Sequence, residues 1–214
     1  WEQLGRKCAE NLKKNGFDAY WVPDLETARS QILPITARHN TFGFGGSDTV
    51  RQLGLVEHLK LQGKTVFDHW QRDLTPQESL AIRRAQLHSD CFFCSANAIS
   101  LDGQIVNVDG AGNRTSAMGF GPAQVIIVAG MNKVTEDLPS ALRRVHEVAA
   151  PLRAKSLNMK TPCAESGRCT DCNAPQRICR ITTILHRQPV LTPTSTMFSV
   201  VGFSPRRKST SWLR

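Results

Sequence analysis

Apolar residues recur near every fourth position at the start of the chain, at Leu4, Cys8 and Leu12, which predicts a helix ending at the Asn15-Gly16 stop. A short strand, Ala19 to Val22, follows, and Asp24 caps a second helix through about Leu33. Thr41 to Phe44 reads as a buried strand that runs into Gly45-Gly46-Ser47 and then into a helix over about Asp48 to Gln62. Beyond Gly63, Thr65-Val66-Phe67 is another short strand. Thr75-Pro76-Gln77-Glu78 opens a helix to about His88, with Thr as the cap, Pro at the first helical position and Glu closing a capping box.

The β then α alternation is interrupted after Cys91 to Ser95. Ala98 to Leu101 and Gln104 to Val108 flank Asp102-Gly103, a two-residue hairpin signal for an antiparallel pair. Val125 to Ala129 is a continuous apolar run of parallel-sheet type, and Asp137 to about Ala150 is a helix that Pro151 is expected to close. Past Met159 come a cysteine-rich window, Ile181 to Leu185, and short strands expected at Val190-Leu191 and Met197 to Val201. There is no internal repeat and no linker long enough to divide two independent domains. The expectation is one α/β domain over 1–159, a Cys-rich metal-binding extension packed on it over 160–202, and a basic tail over 203–214.

Composition changes this picture only in places. The 214 residues carry 27 Lys plus Arg against 18 Asp plus Glu, a formal charge of +9, with 40% hydrophobic residues. Such a chain is not disordered, and its length buries a core that needs no disulfide or metal merely to fold. No apolar run reaches the ~20 residues of a spanning helix, and Trp1 to Asn15 is charged rather than signal-like, so a soluble, cytoplasmic protein is expected. A start at Trp1 rather than Met suggests that leading residues are missing. The charge raises the question of a nucleic-acid partner, but the positives are scattered apart from Arg206, Arg207, Lys208 and Arg214, and no nucleic-acid motif or aromatic platform accompanies them. That partner is not expected.

Three constellations can carry chemistry. In Gly43-Phe44-Gly45-Gly46-Ser47-Asp48-Thr49, glycines between a strand and a helix let an anion approach free N–H groups, with Ser47 and Thr49 as hydroxyl donors. The alternative is a tight turn whose Ser47 or Asp48 only caps the helix. No Lys follows as in a P-loop, and the third glycine of the dinucleotide fingerprint is lacking. The second stretch, Asn107 to Ser116, joins Asn107, Asp109, Gly110, Gly112, Asn113 and Arg114 at a strand exit, where open α/β sheets place ligands. There Arg114 would clamp a carboxylate or phosphate and Asp109 would act as acid or base, unless the two simply pair with each other. The third is Cys163-x5-Cys169-x2-Cys172-x6-Cys179, a thiolate set for one metal centre in a reducing compartment. A single Cys-x2-Cys knuckle with two outliers favours iron–sulfur over zinc, and either over disulfides. Cys91 and Cys94 also lie three apart, but on a strand their sulfurs point to opposite faces, which reads as core packing. None of the six histidines forms a spaced ligand pair; His69, beside Trp70 in the Asp68-His69-Trp70 turn, is the best placed for a pocket.

Phe42 to Ser47, Asp68-His69-Trp70, Asn97-Ala98-Ile99, Leu101-Asp102-Gly103, Val106 to Arg114, Asn132-Lys133 and Thr161-Pro162-Cys163 through Arg180, in this order over about residues 10 to 191, resemble the LUD-domain family. The resemblance is to its branch with a C-terminal four-cysteine motif. It implies a three-layer α/β fold similar to the NagB, ribose-5-phosphate isomerase and CoA-transferase superfamily. It also implies that Gly45, Gly46, Ser47 and Thr49 line a pocket for a small anionic metabolite; the residue types of the polar stretches add Asn97, Asn107, Gly110, Gly112 and Asn113 to that pocket, with Asp109 and Arg114 as catalytic candidates. The resemblance implies iron–sulfur electron transfer nearby, and the cysteine spacing makes a 4Fe-4S cluster on Cys163, Cys169, Cys172 and Cys179 the expected cofactor, with zinc as the alternative. The function that follows is oxidation or electron transfer linked to lactate or another small hydroxy acid, with other iron–sulfur or redox subunits as partners. A small-molecule isomerase, transferase or lyase with a structural or Lewis-acid metal is the alternative, and a homo-oligomer is allowed. The chain departs from the family's usual ending in its basic tail, Phe203 to Arg214. Four thiolates around a 2+ cubane would bring +9 to about +7, so part of the positive charge offsets an anionic centre.

Overall fold

A computed structural model describes residues 1–199; the basic tail and the end of the strand expected at Met197 to Val201 lie outside the described residues. The first half of the chain forms α1 (Glu2–Lys14), β1 (Asp18–Val22), α2 (Leu25–Thr36), β2 (Thr41–Phe44), α3 (Asp48–Gln52), α4 (Leu55–Leu61), β3 (Thr65–Asp68), α5 (Pro76–Gln86) and β4 (Cys91–Cys94). The second forms β5 (Ala98–Ser100), β6 (Ile105–Asp109), α6 (Asn113–Gly119), β7 (Gln124–Gly130), β8 (Val134–Thr135), α7 (Leu138–Arg144), α8 (Ala150–Ser156), α9 (Pro162–Ser166), β9 (Ile181–Leu185) and β10 (Thr194–Ser199).

Six strands make a parallel sheet in the order β1-β10-β7-β4-β2-β3, and four make a mixed sheet in the order β8-β5-β6-β9. The period-2 alternation of a strand divides the core. Along β4, Cys91 and Phe93 pack with α2, α3 and α4 through Ile32, Phe42, Phe44, Val50 and Leu59. Phe92 and Cys94 face the opposite way, onto α1, α6 and the small sheet through Leu12, Ile99, Ile105 and Met118. The result is a three-layer α/β fold. The outer face of the small sheet is covered in turn by α7, where Ala98, Val106 and Val108 meet Ala141 and Val145.

The structure corrects several element expectations. The helix expected over Asp48 to Gln62 is two helices, because Gly54 takes a left-handed φ of 62° and the break turns Leu55, Val56 and Leu59 into the core. The hairpin turn holds three residues rather than two, since Ser100 N–H donates to Gln104 O and Gly103 N–H to Ser100 O. Pro151 does not close the helix that begins at Asp137. A π-helical stretch, Val145–Ala149, links α7 to α8, and Pro151 sits in the first turn of α8, where its missing N–H costs least. Val190 and Leu191, expected in a strand, form a turn and are 95% and 73% exposed. The C-terminal extension is woven into both sheets: β9 pairs with β6, and β10 lies between β1 and β7.

Among the described residues, no helix is long and apolar enough to cross a membrane.

Candidate anion-binding site

The carboxyl ends of β2, β3, β4 and β7 open into one cleft of about 960 Å³, roofed by the π-helical arm and α8 and bordered by Gln176, Arg177 and Ile178 of the cysteine-rich segment. Of the expected pocket residues, Gly46, Ser47, Thr49, Asn97, Asp109, Gly110, Asn113 and Arg114 line it. Gly45, Asn107 and Gly112 do not. Gly45 N–H continues the parallel ladder to Phe93 O at 2.8 Å. Asn107 is fully buried, accepting Asn97 N–H at 2.6 Å and donating to Ser95 O at 3.0 Å. It therefore pins the exit of β4 to β6. Gly112 is the buried residue just before α6.

Asp109 and Arg114 are paired. Arg114 donates to Asp109 Oδ1 through Nε at 3.1 Å and Nη2 at 2.8 Å, and Thr115 N–H donates to Oδ2 at 2.9 Å. The same guanidinium donates to Asn97 Oδ1 at 2.9 Å and Val108 O at 2.6 Å. Both carboxylate oxygens thus accept hydrogen bonds from the loop, the Asp109–Arg114 pairing that stood as the alternative to a free acid-base group. The Gly45-Gly46-Ser47 turn likewise serves packing first. A Cβ on Gly46 would stand 2.8 Å from the Trp70 ring, and Ser47 Oγ accepts Val50 N–H at 3.3 Å to cap the five-residue α3. Trp70 itself lies between Arg51 and Arg153, whose guanidinium carbons are 5.1 and 4.9 Å from its ring centroid.

Apart from Arg114, the charge of the cleft comes from residues that the sequence alone gave no binding role. Arg83, Arg114, Lys133, Arg144, Arg153 and Arg177 line it, against Asp48 and Asp109. Arg114 and Arg177 have carboxylate partners, Asp109 and Asp171. Among the described residues, no carboxylate comes within ion-pair distance of Arg83, Lys133, Arg144 or Arg153. Among the described residues, Arg83 Nε is buried with no hydrogen-bond partner, and Arg144 donates only to the backbone oxygens of Asn132 and Asn97. Burial brings the Arg144 guanidinium down to about 10. Lys133 Nζ donates to Ser95 Oγ at 2.6 Å, and burial, with Arg144 and Arg114 nearby, pulls its amine down to about 7. Lys133 had a visible signal: it follows the apolar run Val125 to Ala129, and residues just past a buried parallel strand sit where such sheets bind ligands.

His69 does line the cleft. Gln86, fully buried, spreads its amide over Phe44 O, Phe67 O and His69 Nδ1, and accepts Asn113 Nδ2 at 3.0 Å. A Gln nitrogen only donates, so Nδ1 accepts and the ring is assigned as neutral with its proton on Nε2. Burial, with Arg83 and Arg51, lowers its basicity to about 4.

Cys163, Cys169, Cys172 and Cys179 are free thiols, each partly exposed, in contrast to the buried Cys8, Cys91 and Cys94. Arg177 organises their segment, donating to Cys172 O at 2.6 Å, Cys179 O at 2.9 Å and Asp171 at 2.7 Å. Cys169 Sγ accepts Asp171 N–H at 3.4 Å and lies 3.8 Å from His146 Nδ1. Among the described residues, no three His, Cys, Asp or Glu side chains converge as a metal site. By donor chemistry, four accessible thiols on one backbone-tethered segment fit a soft metal centre such as an iron–sulfur cluster or zinc.

These features define a three-layer α/β protein with a basic cleft at the carboxyl ends of its parallel strands. The LUD domain model matches residues 5–192, and the chain belongs to that family. Its fold is similar to that of a DUF162 family protein from Deinococcus radiodurans, with 16% identity and a TM-score of 0.53 over 94% of this chain and 98% of that one. No curated protein matches the chain.

Proposed function

We propose that the cleft binds a small carboxylate of the 2-hydroxy or 2-oxo acid class, and that the protein takes part in its oxidation or in the accompanying electron transfer. The observation that carries this reading is the group of four basic side chains, Arg83, Lys133, Arg144 and Arg153, around one cavity, which have no carboxylate partner among the described residues. Like charges gathered in a half-buried cleft repel one another, and an anionic ligand relieves that repulsion. Cys163, Cys169, Cys172 and Cys179 would hold a 4Fe-4S cluster, which supplies one-electron transfer when bound. Arg177 and Ile178, between Cys172 and Cys179, line the cleft, so the cysteine segment and the anion share a wall.

The test is calorimetry with lactate, pyruvate and a neutral amide analogue, on protein purified anaerobically and assayed for iron and labile sulfide. Binding of the acids but not of the amide supports the cleft reading. Zinc without labile sulfide would remove the redox part.

A second reading, a transferase or isomerase with a larger substrate, is favoured by the cavity's size. About 960 Å³ lies at the upper end of the roughly 300–1,000 Å³ of pockets that hold drug-sized ligands.

A further inference from the structure

We propose that Lys133 captures the carbonyl group of a 2-oxo acid as an imine; this rests on the carboxylate-binding reading of the cleft. Lys133 ends the 3₁₀ turn Met131–Lys133 that follows β7, and its side chain reaches across to Ser95, just past the end of β4. Both residues line the cleft, and Lys133 keeps part of its surface open to it. The charged and titratable groups acting on the amine are Arg144 from α7, Arg114 from α6, Asp48 from α3 and Cys94 from β4. Only Asp48 favours the ammonium form as a carboxylate, and it lies beyond ion-pair distance. A lysine desolvated beside other cations is a recognised way to make an amine nucleophilic near neutral pH. Its lowered proton affinity agrees with that arrangement.

The chemistry balances without an oxidant. The Nζ lone pair adds to the carbonyl carbon, the C=O π pair moves to oxygen, and one amine proton passes from nitrogen to that oxygen. As the C–O bond breaks and C=N forms, the second amine proton also reaches the oxygen, which leaves as water. Ser95 Oγ, 2.6 Å from Nζ, is placed to pass a proton between nitrogen and oxygen. Arg144, whose partners among the described residues are backbone oxygens, supplies the cation for the acid's carboxylate and so orients its neighbouring carbonyl. A 2-hydroxy acid has no carbonyl and would occupy the cleft without reacting.

The test treats the full chain with pyruvate and sodium cyanoborohydride, followed by intact mass and peptide mapping. The expected result is one reduced adduct, on Lys133, formed with a half-point near pH 7 instead of the ~10.4 of an ordinary lysine, and slowed by lactate. Lys133→Gln should lose the adduct while keeping its circular dichroism, and Ser95→Ala should form it several-fold more slowly. An adduct spread over surface lysines and unchanged in Lys133→Gln overturns the proposal, as does a wild-type adduct with an ordinary lysine pH profile. Pyruvate that binds by calorimetry without being trapped overturns the imine and leaves the carboxylate reading standing. Trapping at Lys133 with no detectable lactate binding supports the imine and counts against that broader reading.

Discussion

Arg114 and Asp109 form a closed pair whose Oδ1 takes two N–H groups of one guanidinium, at 3.1 and 2.8 Å, with both side chains little exposed. Because the same arginine also reaches Asn97 Oδ1 and Val108 O, the pair ties β6 to the exit of β4 and sets one wall of the cleft.

Asp109→Asn should cost roughly 2 kcal/mol or more of stability, because it leaves a largely buried guanidinium without its charge partner. Urea denaturation measures this. Unchanged stability with lost turnover would return Asp109 to the acid-base role.

Arg144→Ala should weaken acid binding by about tenfold or more, the usual worth of a charge-assisted hydrogen bond, while Arg143→Ala, on the exposed side of the same helix, should leave it unchanged. Calorimetric titration with lactate separates the two.

Stability should fall as pH drops in two windows. Lys133 and His69 both bind protons less readily folded than unfolded, so in each case the unfolded chain gains protons first. For Lys133 the loss runs from about pH 10 down to about 7, and for His69 from about 6.5 down to about 4. The His69 step should be on the order of 1–2 kcal/mol once solvent screening is allowed for, and His69→Gln should flatten it in denaturation curves.

Iodoacetamide should label four thiols in the metal-free native protein, Cys163, Cys169, Cys172 and Cys179, and seven after unfolding. Burial pushes the Cys8 and Cys94 thiols up to about 12 and raises Cys91 as well, so those three lack both access and thiolate. Mass spectrometry counts the labels. Early modification of Cys91 or Cys94 would contradict their placement in the core.

Releasing Trp70 should loosen the roof of the cleft. Trp70→Leu removes the ring held between Arg51 and Arg153, at a cost of about 1 kcal/mol, and should speed amide exchange across α8.

The local pattern of the sequence determined most of the elements and their α/β alternation, while the three layers were expected from the family resemblance. The apolar run Val125 to Ala129 could only be a strand buried on both faces, Thr75-Pro76-Gln77-Glu78 could only start a helix, and three-residue spacing on a strand sends Cys91 and Cys94 into opposite cores. The polar loop at Asn107 to Arg114 was legible as a site, and most of the residues expected there do line the cleft. Tertiary structure alone decided which partners each of them meets. Whether Asp109 is free or paired depends on Arg114 and Thr115 reaching it, and the character of Lys133 depends on Ser95, Arg114 and Arg144, which come from distant parts of the chain. A lysine's proton affinity is set by the water removed from it and the charges brought near it, and neither is written in its immediate neighbours.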